Sequence, residues 1–394
     1  KNISTMNHPV LLPADEHAKR VTKARDAMAR HGLDALLISD NANIYYFTGR
    51  VYSGYLYIPA SGDVQFFVRR PIGLEGNGVQ YIRKPEQMAG HISDNPSTIG
   101  YELDLLPYES ALRLMKVFPA AKPVNASPLM RETRAVKTPM EIGLIRQSGI
   151  RQTEVYRRIP RMYQEGMTDL ELQVEIERTS RLEGCLGQFR ISGDSMELFM
   201  ANVLCGDNAD APTPYDFAMG GAGLDPSLPV GCDGSTIKPG MTVMVDANGN
   251  YTGYMTDMTR VFYLEHVGEL ARRAHDCSIR ICRELAAMGR PGVEAKALDE
   301  RARAIVSEER LEDYFMGHRQ HAGFIGHGVG IEINELPVIA PRSRDILHEN
   351  NVVALEPKFV IPHVGAVGIE NTYLVTTSGM TPLTTAPEEL INLE

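Results

Sequence analysis

Apolar and polar positions change period several times along this chain, and the changes mark its elements. From Pro13 to His31, Val21, Ala24 and Met28 fall on one face, Asp15 and Glu16 open the first turn and Gly32 follows the end, which predicts a helix. The apolar run Leu33 to Ser39 predicts a short buried strand. The tyrosine-rich stretch N-A-N-I-Y-Y-F-T-G-R-V-Y-S-G-Y-L-Y-I-P then predicts a loop and a strand. Val64 to Arg69 and Thr98 to Leu103 predict strands, and Glu109 to Phe118 a helix. This alternation predicts an α/β domain over residues 1–125. The polar segment Val124 to Arg134 reads as a connector to a second domain over 135–394.

In the second part, Thr138-Pro139 opens a helix running to about Gln164, with threonine at the cap and proline at the first position. Thr168 and Glu171 form a capping-box pattern before a helix that ends at Gly184. Glu265 to Met288 and Val293 to Arg310 predict two amphipathic helices. Residues 203–240 are dense in glycine and proline with little periodicity; such a segment inside a compact domain is functional or disordered, and its direct entry into the next strands favours function. Those strands, Met244 to Phe262, read as a hairpin with turn chemistry at Asn248-Gly249-Asn250. Each arm carries one aspartate, Asp246 and Asp257, among residues that would otherwise be core. A carboxylate is costly to bury unless something positive meets it, and Arg260 is the only basic residue near in the hairpin. The plainer alternative is a hairpin whose aspartates face solvent.

Three more residues shift the balance. His327 sits in G-H-G-V-G, where glycines leave the imidazole uncrowded and let the backbone approach a ligand. Glu356 in V-V-A-L-E-P-K and Glu370 in A-V-G-I-E-N-T are acids at the ends of apolar strands, and strands 352–360 and 366–375 predict a second hairpin. Four carboxylates and one imidazole form a hard ligand set that suits divalent manganese, iron, cobalt or zinc. The count exceeds the need of one catalytic ion and matches two ions sharing bridging carboxylates, which would hold a hydroxide and polarise a carbonyl.

Composition narrows the partners. The 394 residues suffice for two domains, and the net charge of −10 without a basic cluster argues against nucleic acid. No apolar run reaches the ~18 residues of a membrane span, and no secretory signal is visible. The five cysteines are scattered, odd in number and without a C-x-x-C, which reads as reduced packing thiols in a cytoplasmic protein.

The ordered set Asp246, Asp257, His327, Glu356, Glu370, with D-x10-D in a G-Y-x-x-D-x-T-R setting and G-H-G-x-G later, resembles the pita-bread metallopeptidases: prolidase, aminopeptidase P, methionine aminopeptidase and the non-peptidase creatinase. R-A-V-K-T-P-M-E-I at 134–142 resembles the entry to their catalytic domain, and D-N-A-N-I-Y-Y-F-T-G the creatinase-type first domain. The resemblance implies an α/β (α+β) chain, a creatinase-like N-terminal domain followed by a pita-bread catalytic domain. It further implies two divalent ions, manganese first, with cobalt, zinc or iron as alternatives. Asp246 would chelate one, His327 and Glu356 the other, and Asp257 and Glu370 would bridge. Glu356 would also shuttle the proton of the bridging water. The implied activity is hydrolysis of short peptides at Xaa-Pro bonds by a homodimer, and the stretch Tyr45 to Tyr57 with Arg50 could gate substrate across that dimer.

Three positions depart from the pattern. A histidine expected before the first aspartate is replaced by Tyr215 or Asp216, a second expected seven residues after the metal histidine is Asn334, and an arginine expected two residues before the last glutamate is Gly368. Asn334 and Tyr215 could replace the missing donors, with His318, His321 and His363 also near in sequence. The altered positions leave open an alternative, a metal-dependent hydrolase or lyase acting on a small non-peptide metabolite, as in creatinase or the dimethylsulfoniopropionate lyases. A non-catalytic binding protein on the same fold is the third reading, disfavoured by the complete ligand set.

Overall fold

The computed structural model describes residues 7–188, 190–192 and 198–393. The chain divides into two compact units, one ending at Arg134 and one beginning at Ala135.

In the first unit, α1 (Ala14–His31) ends on a left-handed Gly32, and β1 (Ala35–Ile38) follows. The next residues depart from the expected loop: Asn41–Thr48 is a helix, α2. The Asp40 carboxylate accepts hydrogen bonds from the Ala42 and Asn43 amides at 2.8 and 3.1 Å, capping a turn whose apolar run hides its period. Strands β2 (Ser53–Pro59), β3 (Gln65–Arg70), β4 (Val79–Tyr81), β5 (Thr98–Tyr101) and β6 (Lys122–Asn125) complete a six-stranded mixed sheet ordered β4-β3-β2-β1-β5-β6, with α3 (Tyr108–Met115) between the last two. The expected connector 124–134 is instead the end of β6 and most of α4 (Ser127–Ala135), whose Leu129 and Met130 are buried.

The second unit begins with α5 (Pro139–Tyr156), with Thr138 at the cap and Pro139 in the first position as expected, and Glu141 completes a capping box that was not. It stops short of Gln164: a 3-10 turn at Ile159–Arg161 carries Pro160, which cannot continue the helix. Then α6 (Asp169–Leu182) starts from the Thr168–Glu171 capping box. β7 (Ala201–Cys205), β8 (Thr242–Ala247) and β11 (Thr259–Tyr263) form an antiparallel core sheet with β19 (Ile391–Asn392) on its edge. Between β8 and β11 the turn differs from expectation. Asn248-Gly249-Asn250 is not the reversal; β9 (Gly249–Asn250) pairs with β10 (Met255–Thr256), and the chain reverses at 251–254, where Gly253 takes φ +88°.

After α7 (Glu269–Met288) and α8 (Ala295–Glu309), a five-stranded sheet orders β13 (Glu335–Ile339), β12 (Gly326–Gly328), β14 (Val352–Leu355), β17 (Asn371–Thr376) and β18 (Gly379–Pro382). The hairpin β15 (Lys358–Ile361) with β16 (Gly365–Gly368) lies between β14 and β17 in sequence. The strands are sandwiched between helix pairs. On one side Val155 and Tyr156 of α5 and Leu172 and Ile176 of α6 pack with Val243, Val245 and Phe262. On the other, Ala274 and Ile281 of α7 and Leu298 and Ile305 of α8 pack with Met244, Val261 and Val367. Among the described residues no helix is long and apolar enough to cross a membrane.

Candidate metal centre

Strand alternation decides where the first aspartate goes. Val243, Val245 and Ala247 face the α5–α6 core while Met244 faces the α7–α8 core, so Asp246 shares the face of Met244. Asp246 lies opposite Thr259, the last paired position before the two strands part. The gap is filled by Tyr156, whose hydroxyl accepts from the Ala247 amide at 2.9 Å and faces the carbonyls of Val245 and Met258. Just beyond lies Asp257, its backbone clamped on both sides by Thr372: the Asp257 amide donates to Thr372 Oγ1 at 2.8 Å and that hydroxyl donates back to the Asp257 carbonyl at 2.8 Å.

Both glutamates occupy breaks in the strand ladder. Glu356 and Pro357 separate β14 from β15, and Ile369 and Glu370 separate β16 from β17. The Glu370 backbone pairs with Thr259 instead, at 3.2 and 3.3 Å, which joins the two hairpins, and Thr259 Oγ1 donates to Glu370 Oε2 at 2.8 Å. His327, central in β12, has Nδ1 3.0 Å from the Gly328 carbonyl. That contact puts a proton on Nδ1 and turns Nε2 toward the acids, 3.3 Å from Glu356 Oε1 and 3.7 Å from Asp257 Oδ2. The flanking glycines serve a different end from the one expected. A Cβ on Gly326 would meet the Ala354 carbonyl oxygen at 2.4 Å and one on Gly328 the Leu336 oxygen at 2.2 Å, so they admit neighbouring strands, not a ligand.

All five expected residues therefore meet, and a sixth, not foreseen, meets them. Lys358 Nζ lies 2.8 Å from Asp246 Oδ2, 2.9 Å from Glu356 Oε2 and 3.1 Å from Glu370 Oε2, on a side chain with 0 % exposure. Arg260, the basic residue near in sequence, points elsewhere; its guanidinium binds the carbonyls of Thr259, Glu370, Ala386 and Pro387 and the Asn371 side chain. A lysine alone in the apolar run V-V-A-L-E-P-K-F-V-I was the available signal for Lys358.

The ligand atoms fall into two groups, Asp257–His327–Glu370 and Asp246–Glu356–Glu370, each within 4.8 Å. The first fits a divalent ion. Glu370 Oε1 is buried without a hydrogen-bond partner, and His327 Nε2, which can exchange its proton for an ion, faces the same acids. The second group is the one the lysine fills. A divalent ion and an ammonium ~3 Å apart would repel by roughly 10 kcal/mol at an effective dielectric constant of ~20.

The cluster is still short of positive charge. Burial, then Asp246, pushes Asp257 up to about 8. Burial also drives Glu370 well above the carboxylate range, with Asp257 adding to it. Burial alone would lower His327, but its contact with Glu356 and the nearby acids carry it to about 9. Glu356 goes the other way: burial opposes ionisation, and Lys358 and His327 overcome it, holding the carboxyl below its usual range.

Asp246, Asp257, His327 and Glu356 form the floor of a cavity of about 280 Å³ whose walls include Leu198, Phe199, Phe217, Met219 and Phe324. No lysine or arginine lines it among the described residues. Asn202 Oδ1 and Asn248 Oδ1, both on this lining, are buried and without hydrogen-bond partners. Asn202 is oriented by its Nδ2, which donates to the Met219 carbonyl at 3.1 Å.

Of the expected helpers, Asp216 lines the cavity and accepts from the Gly323 amide at 3.0 Å, whereas Tyr215 is absent from the lining and its ring lies beside Phe217. Asn334 also lines it, but both ends of its amide are committed to Ser192, Oδ1 accepting from the amide at 3.0 Å and Nδ2 donating to the carbonyl. His321 turns to the Phe315 carbonyl, His318 to Asp210 and His363 to Asp207, and none of the three lines the cavity. Arg50 follows α2 in the first unit. All five cysteines are free and buried.

Residues 143–377 match metallopeptidase family M24, and residues 20–136 match the creatinase/prolidase N-terminal domain. An Xaa-Pro dipeptidase of Pyrococcus horikoshii is 26 % identical over 381 residues, covering 95 % of this chain and 99 % of its own. Among solved structures, an Xaa-Pro dipeptidase from Bacillus anthracis superposes with a TM-score of 0.79 at 21 % identity, covering 95 % of this chain and 99 % of its own. An X-Pro aminopeptidase from Thermotoga maritima gives 0.76 at 22 % identity, covering 93 % and 99 %.

Proposed function

The chain belongs to metallopeptidase family M24, and on that premise we propose that it hydrolyses short peptides at Xaa-Pro bonds, in the manner of a prolidase or aminopeptidase P. The observation that carries the reading is the convergence of Asp246, Asp257, His327, Glu356 and Glu370 in one cluster, the first four of them on the floor of an apolar-walled cavity. Asp257, His327 and Glu370 would hold a divalent ion, which when bound supplies Lewis acidity and a water acidic enough to be ionised near neutral pH.

The chain's own groups account for the rest. Glu356, kept ionised by Lys358, accepts the proton of the attacking water and returns it to the departing amine. The aromatic and aliphatic walls receive a prolyl ring. Asp216 and the unpartnered oxygens of Asn202 and Asn248 receive the substrate's α-ammonium, the end of a peptide that a cavity without basic residues can recognise. Manganese as the ion, a homodimer as the assembly and the cytoplasm as the location belong to the same reading, the first supported by a ligand set dominated by carboxylate oxygen.

The test is turnover of a panel of Xaa-Pro dipeptides and tripeptides by the full chain reconstituted with manganese, cobalt or zinc. Cleavage at the Xaa-Pro bond is expected. Failure with every peptide and every ion, or turnover confined to small non-peptide amines, overturns the reading.

A further inference from the structure

The Lys358 ammonium has three N–H donors, and three carboxylate oxygens from three different residues lie within 3.1 Å of it, one for each. Nothing is left over on the donor side, and the side chain is wholly buried, so the contact is a built cation position and not a passing ion pair. The backbone holds it there. Lys358 is paired directly with Gly368 across β15 and β16. Gly368 has φ +125°, and a Cβ on it would stand 2.7 Å from the Pro357 carbonyl oxygen and 3.0 Å from Lys358 Cα. The resemblance leads one to expect an arginine at 368. Here that position is a glycine and the basic residue stands on its cross-strand neighbour, its ammonium in the acid cluster.

On the other side of Glu370 the situation is reversed. Asp257, His327 and Glu370 converge, and Glu370 Oε1 has no hydrogen-bond partner. One ammonium and one divalent ion leave the four carboxylates with a single unit of excess negative charge, which the substrate's own ammonium can meet. A second divalent ion would have to displace Lys358 from three short contacts into a packed strand pair.

We propose that Lys358 is an encoded cation standing in one of the two cation positions of this centre, so that each chain binds one divalent ion, at Asp257, His327 and Glu370, and not two. The proposal rests on the metal-dependent reading above and goes beyond it in fixing the number of ions and the group that replaces the second.

The test counts ions and leaves peptide cleavage aside. The full chain is stripped with chelator, saturated with manganese, freed of unbound ion and analysed for metal per chain, and its electron paramagnetic resonance spectrum is recorded. One ion per wild-type chain and an isolated six-line manganese signal are expected. Lys358→Ala, which removes the ammonium and opens its volume, is expected to bind two ions and to show an exchange-coupled pair. Two ions or none in the wild type overturns the proposal, as does a folded Lys358→Ala that still binds one. Should that variant not fold, the wild-type spectrum decides, because an exchange-coupled signal there is incompatible with Lys358 holding the position. A one-ion protein that cleaves no peptide would sink the peptidase reading and leave this one standing.

Discussion

Arg260→Lys keeps the charge at a fully buried position and removes the fork. The guanidinium makes six hydrogen bonds to five acceptors: the carbonyls of Thr259, Glu370, Ala386 and Pro387, and Asn371 Oδ1. These acceptors belong to the first hairpin, the second hairpin and the C-terminal segment, so one side chain ties three pieces of the second unit. A lysine ammonium has three donors and reaches acceptors on one side only, which leaves at least three bonds unmade. At ~1.5 kcal/mol for each hydrogen bond to a charged group, the loss is about 4.5 kcal/mol. For a unit of this size that corresponds to a fall in melting temperature of roughly 9–18 °C. The chain has no tryptophan and 16 tyrosines, so tyrosine emission and circular dichroism during urea unfolding are the natural readouts. Because the Glu370 and Thr259 carbonyls are among the lost acceptors, the affinity for manganese should fall with stability. A change under ~1 kcal/mol would refute the claim that Arg260 locks the two hairpins together.

N-acetylation of a good peptide substrate should abolish turnover while C-terminal amidation changes kcat/KM by less than about threefold, as measured by liquid chromatography of the products; the opposite pattern would contradict recognition of the amine by Asp216, Asn202 and Asn248. Asn334→Ala should raise KM and leave kcat within about tenfold, because Asn334 holds Ser192; a loss of ~10²–10³ in kcat would mark it instead as a donor to the transition state. Asp169 is pushed up to about 6 by burial, ahead of its neighbour Asp233, although three backbone amides point at it. Its folded value lies above its unfolded one, so the stability it contributes is full below about pH 4 and is lost as the pH rises through about 6. Asp169→Asn should remove that contribution, so the stability difference between wild type and variant should drift between pH 4 and 6 in urea titrations and be flat above 7.

The acids and the histidine were legible because each breaks an apolar strand, and an apolar strand tolerates a carboxylate only for a reason. What meets those acids was harder to read. Arg260, the basic residue near in sequence, points away from the aspartates, and the lysine that reaches Asp246 is 112 residues distant. Proximity across a β-sandwich is set by strand pairing, which one sequence does not display. The helix at Asn41–Thr48 was hidden because an almost wholly buried helix of two turns has no polar face to show a period. The reversal at 251–254 was misplaced because Asn248 and Asn250 look like turn residues while serving the cavity and the β9–β10 bridge. Tyr156, which plugs the gap beside Asp246, is one aromatic among many on a helix, with no local signal of its role.

Lys358 bears also on how the protein comes into being. A cluster of four acids assembled by two hairpins would ordinarily have to gather its counter-charge from whatever ions the surroundings supply. Here part of that charge arrives with translation, on the same hairpin that brings Glu356 and Glu370 together, and it can be neither chelated nor exchanged. The second unit can therefore close its strand layers during metal starvation, with Asp246 and Glu356 already satisfied.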